Sequence, residues 1–246
     1  MHGFTDTWRT WELVLPALAR HHDVLAPTLA GHTGGPHLLG AMTHDVIADE
    51  IERAMDAAGF ATAHVVGNSL GGYVALQLAA RGRAESVTAF APAGGWTPGD
   101  PDFNQMIRSF GPMQAQLQLA APNAERIVAT EAGRRRATEL IVTDSTHIPG
   151  DLIAHQMVGI ASCRAAPEMI DHAIRAGYPL DTAGITCPVR MVWGTQDRLL
   201  PWPSAAVRYR EMFPHADWVV LDGVGHCPQL DVPVEAAQLI VGFTTT

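Results

Sequence analysis

The sequence contains no lysine: all 16 basic residues among its 246 are arginine. Schiff-base chemistry and Walker-type phosphate binding therefore lack the residue on which they usually rest. Cysteine is scarce too. Cys163, Cys187 and Cys227 share no metal-type spacing, and an odd, sparse set argues against a disulfide framework. That scarcity, with no basic n-region or apolar h-region at the N-terminus, makes the cytoplasm the expected location. No apolar run approaches the roughly 20 residues needed to cross a bilayer. Positive charge is in deficit, with 16 basic against 25 acidic residues and a net charge of −9. The basic footprint demanded by nucleic acid or an anionic membrane is thus missing. Twelve histidines are present, but none form a pair such as H-E-x-x-H, and the adjacent His21 and His22 point to different faces of any helix. They read as solvated or core residues, with no metal and no organic cofactor implied.

What the chain has in quantity is apolar material: 47% hydrophobic against 17% charged residues, enough to fill the core of one large domain. Five short runs read as buried parallel strands, apolar on both faces: Asp23–Ala26, Ala63–Val66, Ser86–Phe90, Val189–Trp193 and Trp218–Leu221. Helical patterns cover about Trp8 to Arg20, Thr43 to Ala58, Leu70 to Arg81 and Pro233 to Phe243, with Asp231 read as the N-cap of the last. Alternation of strand and helix predicts an α/β fold with a mostly parallel sheet flanked by helices. From Trp96 to Tyr178 the alternation stops, and helical segments separated by Pro and Gly predict an insertion over one end of the sheet. Met106, Met113, Met157 and Met169 lie in it, where flexible thioethers suit an adaptable apolar pocket or ordinary core. The Arg134-Arg135-Arg136 run reads as a solvated helix face.

Gly67-Asn68-Ser69-Leu70-Gly71 is a G-x-S-x-G pentapeptide extended by Gly72. It follows a predicted strand and opens a predicted helix, the setting in which a serine is held on a strained turn with its hydroxyl presented for attack. A nucleophilic serine needs a base, and the base an orienting carboxylate. His226 lies in a Gly-rich loop after one strand, and Asp197 in a loop after another, so all three fall beyond the carboxyl ends of parallel strands. Two nearer carboxylates are poorer candidates. Asp222 ends the same strand that leads to His226, and Asp231 is accounted for as a cap.

With this strand–turn–helix elbow and the chain order Ser69, Asp197, His226, the sequence resembles the α/β-hydrolase fold family over essentially its whole length. His2-Gly3-Phe4, Pro27 to His32, the Trp-Gly-x-x-Asp of 193–197 and the Gly-x-Gly-His of 223–226 add to the likeness. The resemblance implies a core of residues 1–95 and 180–246 and a helical cap of residues 96–179. It implies that backbone N–H groups of Phe4 and Leu70 form the oxyanion hole, and that His2 serves structure rather than catalysis. The expected activity is that of a serine hydrolase acting on a small apolar ester or related acyl substrate. Asn68 before the serine also occurs in carbon–carbon bond hydrolases of ring-cleavage products, although Cys227-Pro228 departs from the aromatic residue that usually follows their histidine. A low-turnover ligand sensor on the same fold is the remaining alternative.

In the family, the His-Gly loop follows a central strand. Only Met1 precedes His2, so the resemblance implies that N-terminal strands are missing and that the functional protein begins upstream of Met1. The alternative is a contracted sheet in which the runs at 23–26 and 63–66 pair directly.

Overall fold

A computed structural model describes residues 1–97 and 99–244. Four strands, β1 (Ala63–Asn68), β2 (Ala84–Phe90), β3 (Val189–Gly194) and β4 (Asp217–Leu221), form one parallel sheet in that spatial order. Parallel neighbours require crossovers, and each is helical: Leu70–Ala80 joins β1 to β2, a long helical stretch joins β2 to β3, and Ser204–Met212 joins β3 to β4. The central strands are apolar on both faces because both faces are covered. Val87, Ala89, Phe90, Met191, Val192 and Trp193 are all fully buried. On one face Leu70–Ala80 and Val46–Ala57 pack with Leu76, Val74 and Ile51; on the other, Trp11, Val14 and Ile240 meet Phe90 and Val192. The result is the three-layer α/β arrangement that the alternating pattern predicts.

Two N-terminal expectations fail. Asp23–Ala26 is not a strand, and Val24 and Leu25 stay 39% and 40% exposed. An extended tetrapeptide needs a ladder partner for its N–H and C=O groups, and among the described residues no strand pairs with it. A cavity of about 330 Å³, lined by Met1, Leu25, Val65 and Ile240 among others, separates the 23–27 segment from β1. The two runs therefore do not pair directly. Met1 lies along the outer edge of β1: its amino group donates to Val66 O at 2.6 Å, and Asn68 N donates to Met1 O at 3.1 Å. The helix expected over Trp8–Arg20 is broken into a 3-10 turn, Trp8–Trp11, and one α-helical turn, Leu15–Leu18. Pro16 lacks the N–H that would continue the preceding turn.

Between β2 and β3 the described residues form helices only, chiefly Pro101–Ala120, Gly150–Ser162 and Ala166–Ala176, as the broken alternation predicts. This stretch has its own small core of Val142, Leu152, Ile153 and Met157, which reaches Cys227 and Leu230 in the segment after β4. Arg134 donates to Val128 O at 3.0 Å and Arg136 pairs with Glu139, so the arginine run does belong to a surface helix. No described helix is long and apolar enough to cross a membrane.

Candidate active site

Ser69 leaves β1 with φ 55° and ψ −117°, a conformation that residues bearing a Cβ rarely adopt. Such a residue costs roughly 1–3 kcal/mol and persists only where its surroundings fix it. Here Ser69 N donates to Phe90 O (2.9 Å), and Ser69 O accepts from Tyr73 N (3.1 Å) and Ala93 N (2.9 Å). The sharp turn leaves no room beside it. A Cβ on Gly67 would lie 2.0 Å from Gly71 O, and one on Gly71 would lie 2.4 Å from Met1 O and 2.5 Å from His2 O. Ser69 thus stands at the N-terminus of the helix Leu70–Ala80, where backbone N–H groups and the positive end of the dipole gather.

His226, buried in the loop after β4, contacts Asp197 Oδ2 through Nδ1 at 2.7 Å. Asp197 is buried as well, and its Oδ1 accepts from Leu199 N (2.9 Å) and Leu200 N (2.7 Å). Both carboxylate oxygens are therefore committed, which fixes the plane of the acid and the orientation of the imidazole. A proton on Nδ1 leaves the Nε2 lone pair as the ring's base. Ser69 and His226 line one cavity of about 80 Å³, with Gly3, Phe4 and Met157 among the other walls. Gly3 sits directly against the serine, since a Cβ on it would be 3.3 Å from Ser69 Cβ. Leu70 lines a neighbouring cavity, which Phe4 also lines.

The rival residues fall elsewhere. His2 is buried, its Nε2 accepting from Leu29 N (2.9 Å) while Nδ1 donates to Gly3 O (2.8 Å). Burial and the nearby His32 hold its pKa well below the ordinary histidine value, so it is neutral and pins the Gly3-Phe4 turn. Asp222 is exposed and accepts from Thr195 Oγ1 at 3.1 Å. Asp231 is not the N-cap that the sequence suggests. It ends the short helix Pro228–Asp231, and its carboxylate accepts from Gly225 N (2.7 Å), Thr143 N and Asp144 N (3.0 Å each). It clamps the loop that carries His226 to the helical stretch.

Asn68, noted in the sequence only as the residue before the serine, anchors a second polar group. Asn68 Nδ2 donates to Phe90 O (3.2 Å) and His226 O (2.9 Å), while Oδ1 accepts from Gln229 Nε2 (3.2 Å) and Cys227 Sγ (3.3 Å). Asn68 thus locks the serine turn to the histidine loop. Burial, with Asp6, Asp197 and Asp231 nearby, pushes the Cys227 thiol pKa well above its usual value, so it stays protonated and donates. Three further polar residues line the cavity, Asp6, Thr138 and Gln156. Among the described residues no group of three or more His, Cys, Asp or Glu side chains is placed to hold a metal ion.

Comparison with known proteins bears on the family and the fold. The model of the alpha/beta hydrolase family matches residues 1–239. The epoxide hydrolase EphH of Mycobacterium tuberculosis is 34% identical over 207 residues, covering 82% of this chain and 95% of that protein. Among solved structures, the 2-hydroxy-6-oxo-6-phenylhexa-2,4-dienoate hydrolase of Rhodococcus sp. strain RHA1 superposes with a TM-score of 0.73 at 22% identity, over 99% of this chain and 88% of its own. A thermophilic esterase from Thermogutta terrifontis gives a TM-score of 0.68 at 22% identity, over 98% and 86% of the two chains. At these identities the structural likenesses establish the fold.

Proposed function

The chain belongs to the alpha/beta hydrolase family, and from that premise we propose that it is a serine hydrolase, cleaving a small carboxylic ester or related acyl substrate. The observation that carries this reading is Ser69, strained at a helix N-terminus and sharing a cavity with a histidine whose other nitrogen lies 2.7 Å from a buried aspartate. His226 Nε2 takes the Ser69 proton as Oγ attacks the substrate carbonyl. The Phe4 and Leu70 N–H groups receive the developing oxyanion. His226 then protonates the departing alcohol and activates the water that releases the acid. Asp197 stabilises the imidazolium. Residues 96–179 act as the cap that closes over the acyl group, and the small cavity favours short chains.

One observation favours a second reading, the name of the 34% identical mycobacterial relative. Epoxide opening through a covalent intermediate needs a carboxylate, because the resulting ester can be hydrolysed; opening by a serine oxygen would leave an ether that water does not release. Ser69 at the elbow therefore argues for acyl transfer. Hydrolysis of a short-chain p-nitrophenyl ester panel should fall by about 10⁴-fold or more in Ser69→Ala. A fluorophosphonate should label the wild type at Ser69. Equal slow hydrolysis by both proteins, with no labelling, would remove the serine from the chemistry. Opening of styrene oxide that survives Ser69→Ala would shift the reaction to a carboxylate.

A further inference from the structure

The acyl-transfer steps leave one acid of the site unused. Among the residues that line the cavity of Ser69, the acidic or basic side chains are Asp6, His226 and the thiol of Cys227, which keeps its proton. Asp197 holds His226 through Nδ1 but is not part of that wall. Asp6 is buried, and its Oδ1 accepts from Thr7 N at 2.8 Å and from Gln156 Nε2 at 3.3 Å. The Thr10 hydroxyl is a further donor to the same carboxyl group. Thr10 Oγ1 accepts in turn from Gln229 Nε2 (3.1 Å), which also donates to Asn68 Oδ1 (3.2 Å), and Asn68 Nδ2 donates to His226 O (2.9 Å). A buried hydrogen-bond chain thus runs from Asp6 through Thr10, Gln229 and Asn68 to the backbone of His226.

What Asp6 lacks is a cation of its own. Arg9, close in sequence, turns instead to Glu12 and Asp151, and among the described residues no ion pair includes Asp6. Burial raises its pKa from 3.8 to about 6, against the bonds from Thr7, Thr10 and Gln156 and the charge of His226. That last attraction is mutual, so an ionised Asp6 favours a proton on the imidazole. An acid buried without a counter-ion lowers stability, and such groups collect at functional sites. The other titratable groups around the pair are Asp197, Asp231 and Cys227 on the histidine side, and His155, 3.2 Å from Thr7 Oγ1. His2 and His32 lie at the Gly3-Phe4 turn, where burial lowers the pKa of both. Burial and Arg9 lower that of His155.

We infer that Asp6 is a positioning residue of the site: anchored by the buried chain, its carboxylate supplies a second negative charge, besides that of Asp197, that holds the proton His226 takes up as the serine attacks. Asp197 sets the ring through a direct bond, whereas Asp6 acts on it as a charge across the cavity wall. In an interior of low dielectric a charge fixed in advance supports the imidazolium at no cost of reorganisation. The role in turnover rests on the Ser69 reading; the coupling of Asp6 to His226 does not.

Proton uptake by the His226 ring is followed by NMR of histidine-labelled Ser69→Ala protein, with and without Asp6→Asn. Loss of the Asp6 charge should move that uptake to lower pH by about 0.5–1 unit. With Ser69 intact, Asp6→Asn should displace the acid limb of kcat/KM in the same direction. It should also lower the kcat plateau by about 3–10-fold, the same interaction expressed as a rate, with KM little changed. A residue that only fills space would lower the plateau and leave the limb where it is. Asp6→Ser, uncharged and smaller, takes over both measurements should the asparagine protein fold poorly. Proton uptake unmoved in the folded variant overturns the proposal. Displaced uptake with no Ser69-dependent ester hydrolysis defeats the serine mechanism and keeps the coupling; Ser69-dependent hydrolysis with uptake and acid limb unmoved does the reverse.

Discussion

Strand β1 delivers Ser69 to the site with unequal neighbours on its two sides. Toward β2 it is paired along its length, from Ala63↔Ala84 to Asn68↔Phe90, and β3 and β4 extend the sheet beyond. On its other side, among the described residues, the backbone bonds come from Met1, and a cavity of about 330 Å³ lies beside the strand. Each side supplies half of the site. Asp197 and His226 descend from β3 and β4, fixed by continuous ladders. Gly3 and Phe4 come from the open side, where the anchors are the two ring nitrogens of His2 rather than a strand. The paired side combines ladders with the side-chain locks of Asn68 and Asp231, whereas the Gly3-Phe4 turn rests on His2 and the two backbone bonds of Met1, so the two halves should fail differently.

The largest effect belongs to the paired side. Asp197→Asn keeps the shape of the acid while weakening its hold on the imidazolium and its tautomer. It should lower kcat on the best ester about 10⁴-fold with little change in KM. A loss of less than tenfold would mean that His226 is oriented without it. On the open side, His2→Ala frees the Gly3-Phe4 turn from Leu29 and should lower kcat about 10²–10³-fold, the scale of one lost oxyanion donor. If folded His2→Ala retains more than a tenth of wild-type kcat, the Phe4 N–H is positioned by something else, and the contrast between the sides fails.

The open side also sets the response to acid. Burial lowers the pKa of His32 from 6.5 to about 4 and holds His2 well below its ordinary value. Between pH 6.5 and 4 the unfolded chain therefore binds protons that the folded chain refuses. Stability from these histidines is complete above pH 6.5 and is lost as the pH falls toward 4. Asp6 acts in the opposite sense, since burial raises its pKa from 3.8 to about 6, and its contribution is lost as the pH rises through that window. Two histidines outweigh one carboxyl group. Urea unfolding should show lower stability at pH 5 than at pH 7, with His32 alone contributing on the order of 2 kcal/mol. His32→Asn should flatten the profile, and an unchanged slope would relieve the histidine of that role.

Legibility in the sequence follows the same division. Ser69, Asp197 and His226 stand out as candidates because each sits at the end of a short apolar run with Gly close by, and such local patterns report the carboxyl edge of a parallel sheet. Asp23–Ala26 shows the limit of that signal. Its composition is that of a strand, but a strand is made by its partner, and composition does not say whether a partner is in reach. Asp231 was legible as an acid near a helix start, yet its actual donors, Thr143, Asp144 and Gly225, lie partly in another region of the chain. Gln229, Asp6 and Gln156 carried no local signal at all, and Asn68 stood out only by its place before the serine, not by what it bonds. Asn68 meets Gln229 161 residues away, and Asp6 meets Gln156 at a separation of 150, so only the folded chain defines these groups.

The smallest effect tests the comparison most directly, because it asks only whether there is room beside β1. Ala63 on β1 borders the large cavity, whereas Ala89 on β2 is fully buried between paired strands and helices. Adding a leucine side chain at each position should therefore give opposite signs. Ala63→Leu places apolar carbon in open space at about 0.8 kcal/mol per buried methylene, less the rotamer entropy lost, and should stabilise by about 1 kcal/mol. Ala89→Leu forces the same atoms into a close-packed layer and should destabilise by about 1–3 kcal/mol. Chemical denaturation of the two variants, with ester turnover of Ala63→Leu compared with wild type, measures both. If Ala63→Leu destabilises as much as Ala89→Leu, the two sides of β1 are equally packed. The side chains of the open side would then be as firmly held as the ladder, and the weak link in the site would have to lie elsewhere than at His2 and Phe4.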